Sequence, residues 1–136
     1  MNKISKYMSL FALVIFIDQV SKTISKSMNS FHYNEGIMFG LYSDIPDTYR
    51  IIFLCSFFGY IFFIYILFLQ LAPASLSNLK YGTSFLSGGI FGNVIDRTLY
   101  GKSIDFIPFS VNTQFEVVFN LADVAQWIGA IIIVFN

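Results

Sequence analysis

Hydrophobic positions in this chain fall into four long runs set apart by polar stretches. A membrane-spanning helix needs about 20 apolar residues. On that measure the runs predict four transmembrane helices, at about 7–28, 51–71, 81–99 and 117–135. The second run is the clearest. No charged residue lies between Arg50 and Lys80, and Ile51 to Leu71 is nearly all Ile, Leu, Phe and Tyr. The first run carries Asp18 and Lys22 in its second half, and the third ends in the polar group Asn93, Asp96 and Arg97. Between the second and third runs, residues 72–79 (APASLSNL) read as a brief turn. Residues 29–50 and 101–116 form two longer connections. In the first of these, Phe31-His32-Tyr33 reads as a short strand ahead of a turn at Asn34-Glu35-Gly36. Four helices would place both long loops on one side, and both termini and the short turn on the other. The first run shows no small-residue cleavage pattern, so a cleavable signal peptide is not expected. The expected fold is a single-domain, all-α membrane protein over residues 1–136.

Composition supports the membrane assignment. Of 136 residues, 56% are hydrophobic and only 12% are charged, whereas a soluble domain carries about 25% charge to keep its surface wet. Eight basic and eight acidic residues cancel, which gives no electrostatic reason to bind nucleic acid. Basic residues are split between the two sides, with Lys3, Lys6 and Lys80 facing one way and Lys26, Arg50 and Lys102 the other. Charge bias therefore does not orient the chain. The lone Cys55, inside an apolar run, is expected to be a buried packing residue.

The acidic residues carry more information. On the predicted topology none of the eight lies on the termini side. Helix rise puts Asp18 roughly 16 Å along the first helix and Asp96 roughly 22 Å along the third. Asp123 is roughly 9 Å into the fourth helix, which enters from the same side. Asp105, in the loop between helices three and four, need only fold back to meet Asp123. Four acids from separate segments thus reach one level. Ionisable groups inside a bilayer cost a few kcal/mol or more and usually mark function. Asp18 and Lys22 are spaced i, i+4 and can pair along one face in a structural role. Asp96 beside Arg97 reads either as a neutralised pair pinning a helix end or as a functional acid. Asp123 has no basic neighbour within four residues, and Asp105 has only Lys102 in its loop.

Ser84, Gly88 and Gly92 recur every fourth residue, a stripe of small side chains that lets a neighbouring helix approach closely. If that neighbour is the fourth helix, Asn93 and Asp96 meet Asn120 and Asp123. Asn120, Asp123 and Trp127 share one face by their spacing.

Two carboxyls held together in a poorly solvated site cannot both ionise easily. One keeps a proton, and the pair can activate water while the protonated member protonates a carbonyl. This chemistry needs no cofactor. Metal-dependent hydrolysis is disfavoured because His32 is the only histidine and no HExxH is present. Ser or Cys triads lack a base for the same reason. The GxGD motif of presenilin-like proteases is also absent. Aspartic hydrolysis and proton coupling both remain open on these grounds.

Five blocks, in order, resemble the motifs of the lipoprotein signal peptidase (signal peptidase II) family. They are Asp18-Gln-Val-Ser-Lys22, Asn34-Glu-Gly-Ile-Met-Phe-Gly40, Gly88-Gly-Ile-Phe-Gly-Asn-Val-Ile-Asp-Arg97, Ile104-Asp-Phe106 and Phe119-Asn-Leu-Ala-Asp123. The last three carry most of the specificity, and the spacing of Asp96, Asp105 and Asp123 follows the family pattern. The resemblance implies an endopeptidase of the bacterial inner membrane with four transmembrane helices and cytoplasmic termini. Its site would lie near the extracytoplasmic face. It would remove signal peptides from prolipoproteins, cutting before the diacylglyceryl-modified cysteine, and would be inhibited by globomycin. Asp105 and Asp123 match the family's catalytic pair. Asn34, Gly36, Asn93, Asp96, Arg97 and Asn120 match positions that line and support the site, while Asp18 and Lys22 match positions read as structural. Residues 29–50 would form a small extracytoplasmic β-cradle. No metal or other cofactor is implied. The implied partners are the lipidated substrate and membrane lipid, with the chain acting as a monomer. Ile37, Met38, Ile90 and Phe91 depart from the family pattern, most by being bulkier. Two other readings stand beside this one: a small four-helix proton-coupled transporter, and a non-catalytic paralogue that binds lipoproteins.

Overall fold

The structure, a computed structural model, describes residues 4–34, 46–112 and 115–136. Gly36 and its neighbours Glu35, Ile37, Met38 and Asp44 lie outside the described residues. The described residues form four α-helices: α1 (Ser5–Ser27), α2 (Asp47–Leu71), α3 (Ser77–Tyr100) and α4 (Leu121–Val134). They also form four strands within the long connections: β1 (His32–Asn34), β2 (Ser103–Asp105), β3 (Ile107–Asn112) and β4 (Phe115–Phe119).

Two helix starts differ from the hydropathy reading, and each has a local cause. α3 begins at Ser77, straight after a 3-10 turn over Ala74–Leu76, so most of the expected turn is helical. α4 begins at Leu121 because Asn120 caps it: its Oδ1 accepts the Asp123 N–H at 3.1 Å, while Asp123 Oδ2 accepts the Asn120 N–H at 3.1 Å. This reciprocal capping box ends β4 and opens the helix. Residues 117–119, equally apolar, belong to the strand.

The cradle draws on both loops rather than on residues 29–50 alone. β1 pairs antiparallel with β2, with His32 opposite Asp105 and Asn34 opposite Ser103. β3 and β4 form a separate hairpin in the second loop. Two-residue-period alternation is weak in such short strands, so the 101–116 connection carried little strand signal.

α3 is the axis of the bundle and packs against α1, α2 and α4. Its buried side is small and polar, with Lys80, Ser84, Ser87, Asn93 and Asp96 among its glycines. The glycines serve two partners. A Cβ on Gly88 would lie 2.9 Å from Val14 of α1, and one on Gly92 would lie 2.6 Å from Asp18 Oδ2 of α1 and 3.3 Å from the Ala122 side chain of α4, so the predicted stripe receives α1 along its length and α4 at Gly92. A different pair, Gly82 and Gly89, receives α4: a Cβ on Gly89 would strike the Ala122 carbonyl, and Gly129 returns the contact against Gly82 and Leu86. Ser84, on the same stripe, instead accepts a hydrogen bond from the Tyr65 hydroxyl of α2 at 2.9 Å.

α2 stands at the edge. Phe53, Phe57, Tyr60 and Phe63 are all outward-facing, and Cys55 is exposed rather than buried. An apolar run is buried only if its surroundings are protein; here it presents a continuous apolar face, far larger than soluble monomers leave open. Spans Ser5–Ser27 and Ile51–Leu71 are long and apolar enough to cross a bilayer, with mean hydropathies of 1.4 and 2.5. α4 is shorter, and α3 carries its charges inward. Between α1, α2 and α3 an aromatic cluster forms the core, in which the Phe11 ring meets Phe62 and Phe91 at 5.5 Å. The bulky Phe91 is thereby accounted for.

The glycine contacts make opposite predictions at two sites. Gly89→Ala forces a methyl into the α4 backbone and should destabilise the fold by about 1–3 kcal/mol. Gly59, with nothing within 4 Å of an added Cβ, should accept Ala with a gain of about 0.5–1 kcal/mol. Thermal unfolding in detergent reads both, and equal effects would contradict the packing described.

Candidate active site

Every site residue predicted from sequence and described in the structure falls into one hydrogen-bonded assembly at the loop end of the helices. It is built outward from Lys22, which is 2% exposed. An ammonium has three donors and no acceptor. Lys22 Nζ uses all three: Asp18 Oδ2 at 2.6 Å, Asp96 Oδ2 at 2.7 Å and Asn93 Oδ1 at 3.0 Å. Asp18 and Asp96 are both fully buried. The i, i+4 pairing of Asp18 with Lys22 is therefore present, but it is half of a bridge to α3. The partner of Asp96 in this bridge is Lys22, one helix away, rather than only its chain neighbour Arg97.

The remaining carboxylate oxygens place other elements. Asp18 Oδ1 accepts the Ala122 N–H at 2.9 Å, fastening the first turn of α4 to α1. Asp96 Oδ2 also accepts the Ile104 N–H at 3.3 Å, holding β2 against α3. Gln19, to which sequence reasoning gave no role, donates to Asp96 Oδ1 and to the Gly92 carbonyl, each at 3.0 Å. A polar amide beside an intramembrane acid was the available signal.

Two asparagines carry the assembly from this anchor to the remaining acids. Asn93 Nδ2 donates to Asp123 Oδ1 at 2.9 Å. Asn120 Nδ2 donates to Asp105 Oδ1 at 2.7 Å and lies within reach of Asn93 Oδ1 (2.9 Å) and the Ile104 carbonyl (3.2 Å). The backbone N–H of the same Asn120 serves Asp123 Oδ2. Asp105 and Asp123 are thus bonded to one residue, the first through its side chain and the second through its main chain. Asn34, on β1, donates to Asp105 Oδ2 at 2.8 Å, an approach made possible by the β1–β2 pairing. Arg97 reaches Ser103 Oγ at 3.5 Å. Trp127, on the Asn120 face of α4, is half exposed and meets Phe119 edge to face at 5.0 Å.

Asp105 is 2% exposed. Burial pushes its carboxyl above the usual carboxylate range, and the charge of Asp123 pushes the same way. The Asn34 and Asn120 amides and Lys22 pull it back, without cancelling the rise. The sign for stability follows. A carboxyl raised in the folded state contributes stability that is fully present below its unfolded value and is lost as pH rises through the folded one.

A cavity of about 450 Å³ opens on this assembly. Asn93, Arg97 and Asp123 line its polar end, and Phe53, Phe57, Phe58 and Ile61 of α2 line the apolar remainder with Ile90. An extended apolar segment entering from the α2 side would meet Asp123 at its polar end.

Comparison with known proteins agrees with this architecture. The family model for signal peptidase (SPase) II matches residues 10–136. The chain is 39% identical over 104 residues to the lipoprotein signal peptidase of Wigglesworthia glossinidia brevipalpis, covering 76% of this chain and 65% of that protein, a little under two thirds of the relative's length. Against the lipoprotein signal peptidase of Burkholderia ambifaria it is 31% identical over 147 aligned residues, covering 98% of this chain and 87% of the other. A bacterial membrane enzyme solved by the in meso method superposes with a TM-score of 0.78 at 25% identity, over 99% of this chain and 96% of that one. A second, at 24% identity, shares the fold with a TM-score of 0.76, over 96% and 86%. With nearly the whole length matched by the family and the fold shared, the chain belongs to the signal peptidase II family.

Proposed function

We propose that this chain is an aspartic endopeptidase that cleaves signal peptides from diacylglyceryl-modified prolipoproteins, just before the lipidated cysteine. The observation that carries the reading is the convergence of Asp105 and Asp123 on Asn120. Two acids tied to one residue, one of them lining an apolar cavity, are suited to act as a pair.

The chemistry follows from their different surroundings. Asp105 is the member that keeps its proton, because burial and the neighbouring charge both oppose ionisation. Asp123 is the member placed to accept water's proton, with each oxygen receiving an N–H. Water between them gives a proton to Asp123 as its oxygen bonds to the scissile carbonyl carbon. Asp105 passes its proton to the carbonyl oxygen, giving a neutral tetrahedral intermediate. Asp123 then returns a proton to the departing nitrogen as the C–N bond breaks, and Asp105 recovers one from the collapsing diol. No metal or other cofactor enters.

In this reading all four helices cross the bacterial inner membrane as one domain, with cytoplasmic termini and the site near the extracytoplasmic face. The lipid-facing surface of α2 supports the first part, and the clustering of Asp18, Asp96, Asp105 and Asp123 at the loop end supports the second. The signal peptide lies in the apolar cavity, with Asn34, Arg97 and the β-cradle beside its backbone. Gly36 belongs to the same set by motif. All the named groups come from one chain, so a monomer suffices.

Replacing Asp105 or Asp123 by Asn should lower cleavage of a diacylglyceryl-modified prolipoprotein by about 10²–10⁴-fold while leaving substrate binding in place. Cleavage at the unsubstituted rate by either variant refutes the assignment. Asn34→Ala removes a hydrogen bond that favours ionised Asp105, so the alkaline limb of the activity profile should move to higher pH by about one unit. A limb that stays in place, or moves down, shows that Asp105 is not the proton-holding acid.

A further inference from the structure

Lys22 matches a position read as structural, and its two ion pairs fit that role. Its third bond does not serve packing. The Lys22 ammonium, a donor only, and the Asn120 Nδ2 both point at one atom of the Asn93 amide, at 3.0 and 2.9 Å. That atom must be the oxygen, so the NH₂ end is the one set against Asp123 Oδ1. The two donors do not hold it equally. Asn120 Nδ2 has two hydrogens for three acceptors, namely Asn93, Ile104 and Asp105. Lys22 has one hydrogen for each of its three. An NH₂ aimed at a carboxyl oxygen suits an ionised acid. An amide oxygen in the same place would need a proton on that acid.

We infer that Lys22 is a positioning residue for the proposed reaction: by holding the oxygen end of the Asn93 amide, it keeps the NH₂ end on Asp123 and so keeps Asp123 as the acceptor of water's proton. The inference rests on the aspartic reading above. The charged groups around the amide are Asp18 and Lys22 from α1, Asp96 and Arg97 from α3, Asp105 from β2 and Asp123 from α4. The α2 side chains facing it across the cavity, among them Phe53, Phe57 and Phe58, carry no charge. Lys22 is bonded to the amide itself, and the charge on its donor strengthens the polarisation of the N–H at the far end.

Lys22→Met alone leaves Asp18 and Asp96 buried without their cation, so the test pairs it with Asp18→Asn and uses Asp18→Asn alone as control. Turnover of diacylglyceryl-modified prolipoprotein is measured against pH and normalised to folded enzyme. The double variant should show its acid limb of kcat moved up by about one pH unit, with kcat at the optimum down about ten- to a hundredfold and KM within about twofold. Asp18→Asn, which retains Lys22, should keep the limb of the unsubstituted enzyme. Asn93→Leu should reproduce the shift, and adding it to the double variant should move the limb no further. A folded double variant with an unmoved acid limb overturns the inference, as does a further shift on adding Asn93→Leu. If the double variant does not fold, Asn93→Leu, whose ion pairs are intact, still overturns the inference by an unmoved limb. Failure of the aspartic reading itself looks different, because the unsubstituted chain would then not cleave the substrate at all.

Discussion

A single buried ammonium organises this bundle. Lys22 meets two fully buried carboxylates and one amide, and through Asp18 and Asp96 it reaches the start of α4 and the backbone of β2. Among helices whose outer faces are as apolar as the lipid, there is little hydrophobic drive for one helix to prefer another. Close glycine contacts and buried polar bonds must supply the specificity. A cluster of this kind is costly to leave incomplete, since removing one partner of a buried ion pair costs about 3–5 kcal/mol. The arrangement therefore has one low-energy geometry, and the helices are held to it.

That geometry is passed to the acids through two amides. Asn93 and Asn120 have no charge to titrate, so they can position two carboxyls without adding to the repulsion between them. Asn120 also caps α4, which means that the fold of the helix start and the placement of Asp123 are one event. β1 adds the last fixed donor, Asn34, by pairing with the strand that carries Asp105. The difference between the two acids comes from their placement: one lies in a buried strand, the other in the first turn of a helix.

Much of this was legible in the chain. Hydropathy alone located four helices, and their rise brought Asp18, Asp96, Asp105 and Asp123 to a common level. The motif blocks identified the polar residues that bond to them, with Gly36 alone outside the described residues. What was misjudged has physical causes. Hydropathy cannot distinguish an apolar strand from an apolar helix, so residues 117–119 were assigned to α4 although the Asn120–Asp123 capping box marks the true start. A small-residue stripe announces close approach without naming the partner: Gly88 receives α1, Gly92 lies between α1 and α4, and Gly82 and Gly89, which also receive α4, were passed over. Cys55 was expected inside because an apolar neighbourhood was equated with a protein interior. Gln19 and the third bond of Lys22 depend on contacts between distant segments, which no local pattern encodes.

The account stands on one claim, that Asp105 and Asp123 share a single proton and that it resides on Asp105. Infrared spectroscopy of the purified protein, with isotope-labelled aspartate, reads protonated carboxyls directly. At the pH of maximal activity it should show a protonated aspartic acid band that disappears in Asp105→Asn and persists in Asp123→Asn. A band that survives unchanged in Asp105→Asn, or the absence of any protonated aspartate at that pH, contradicts it.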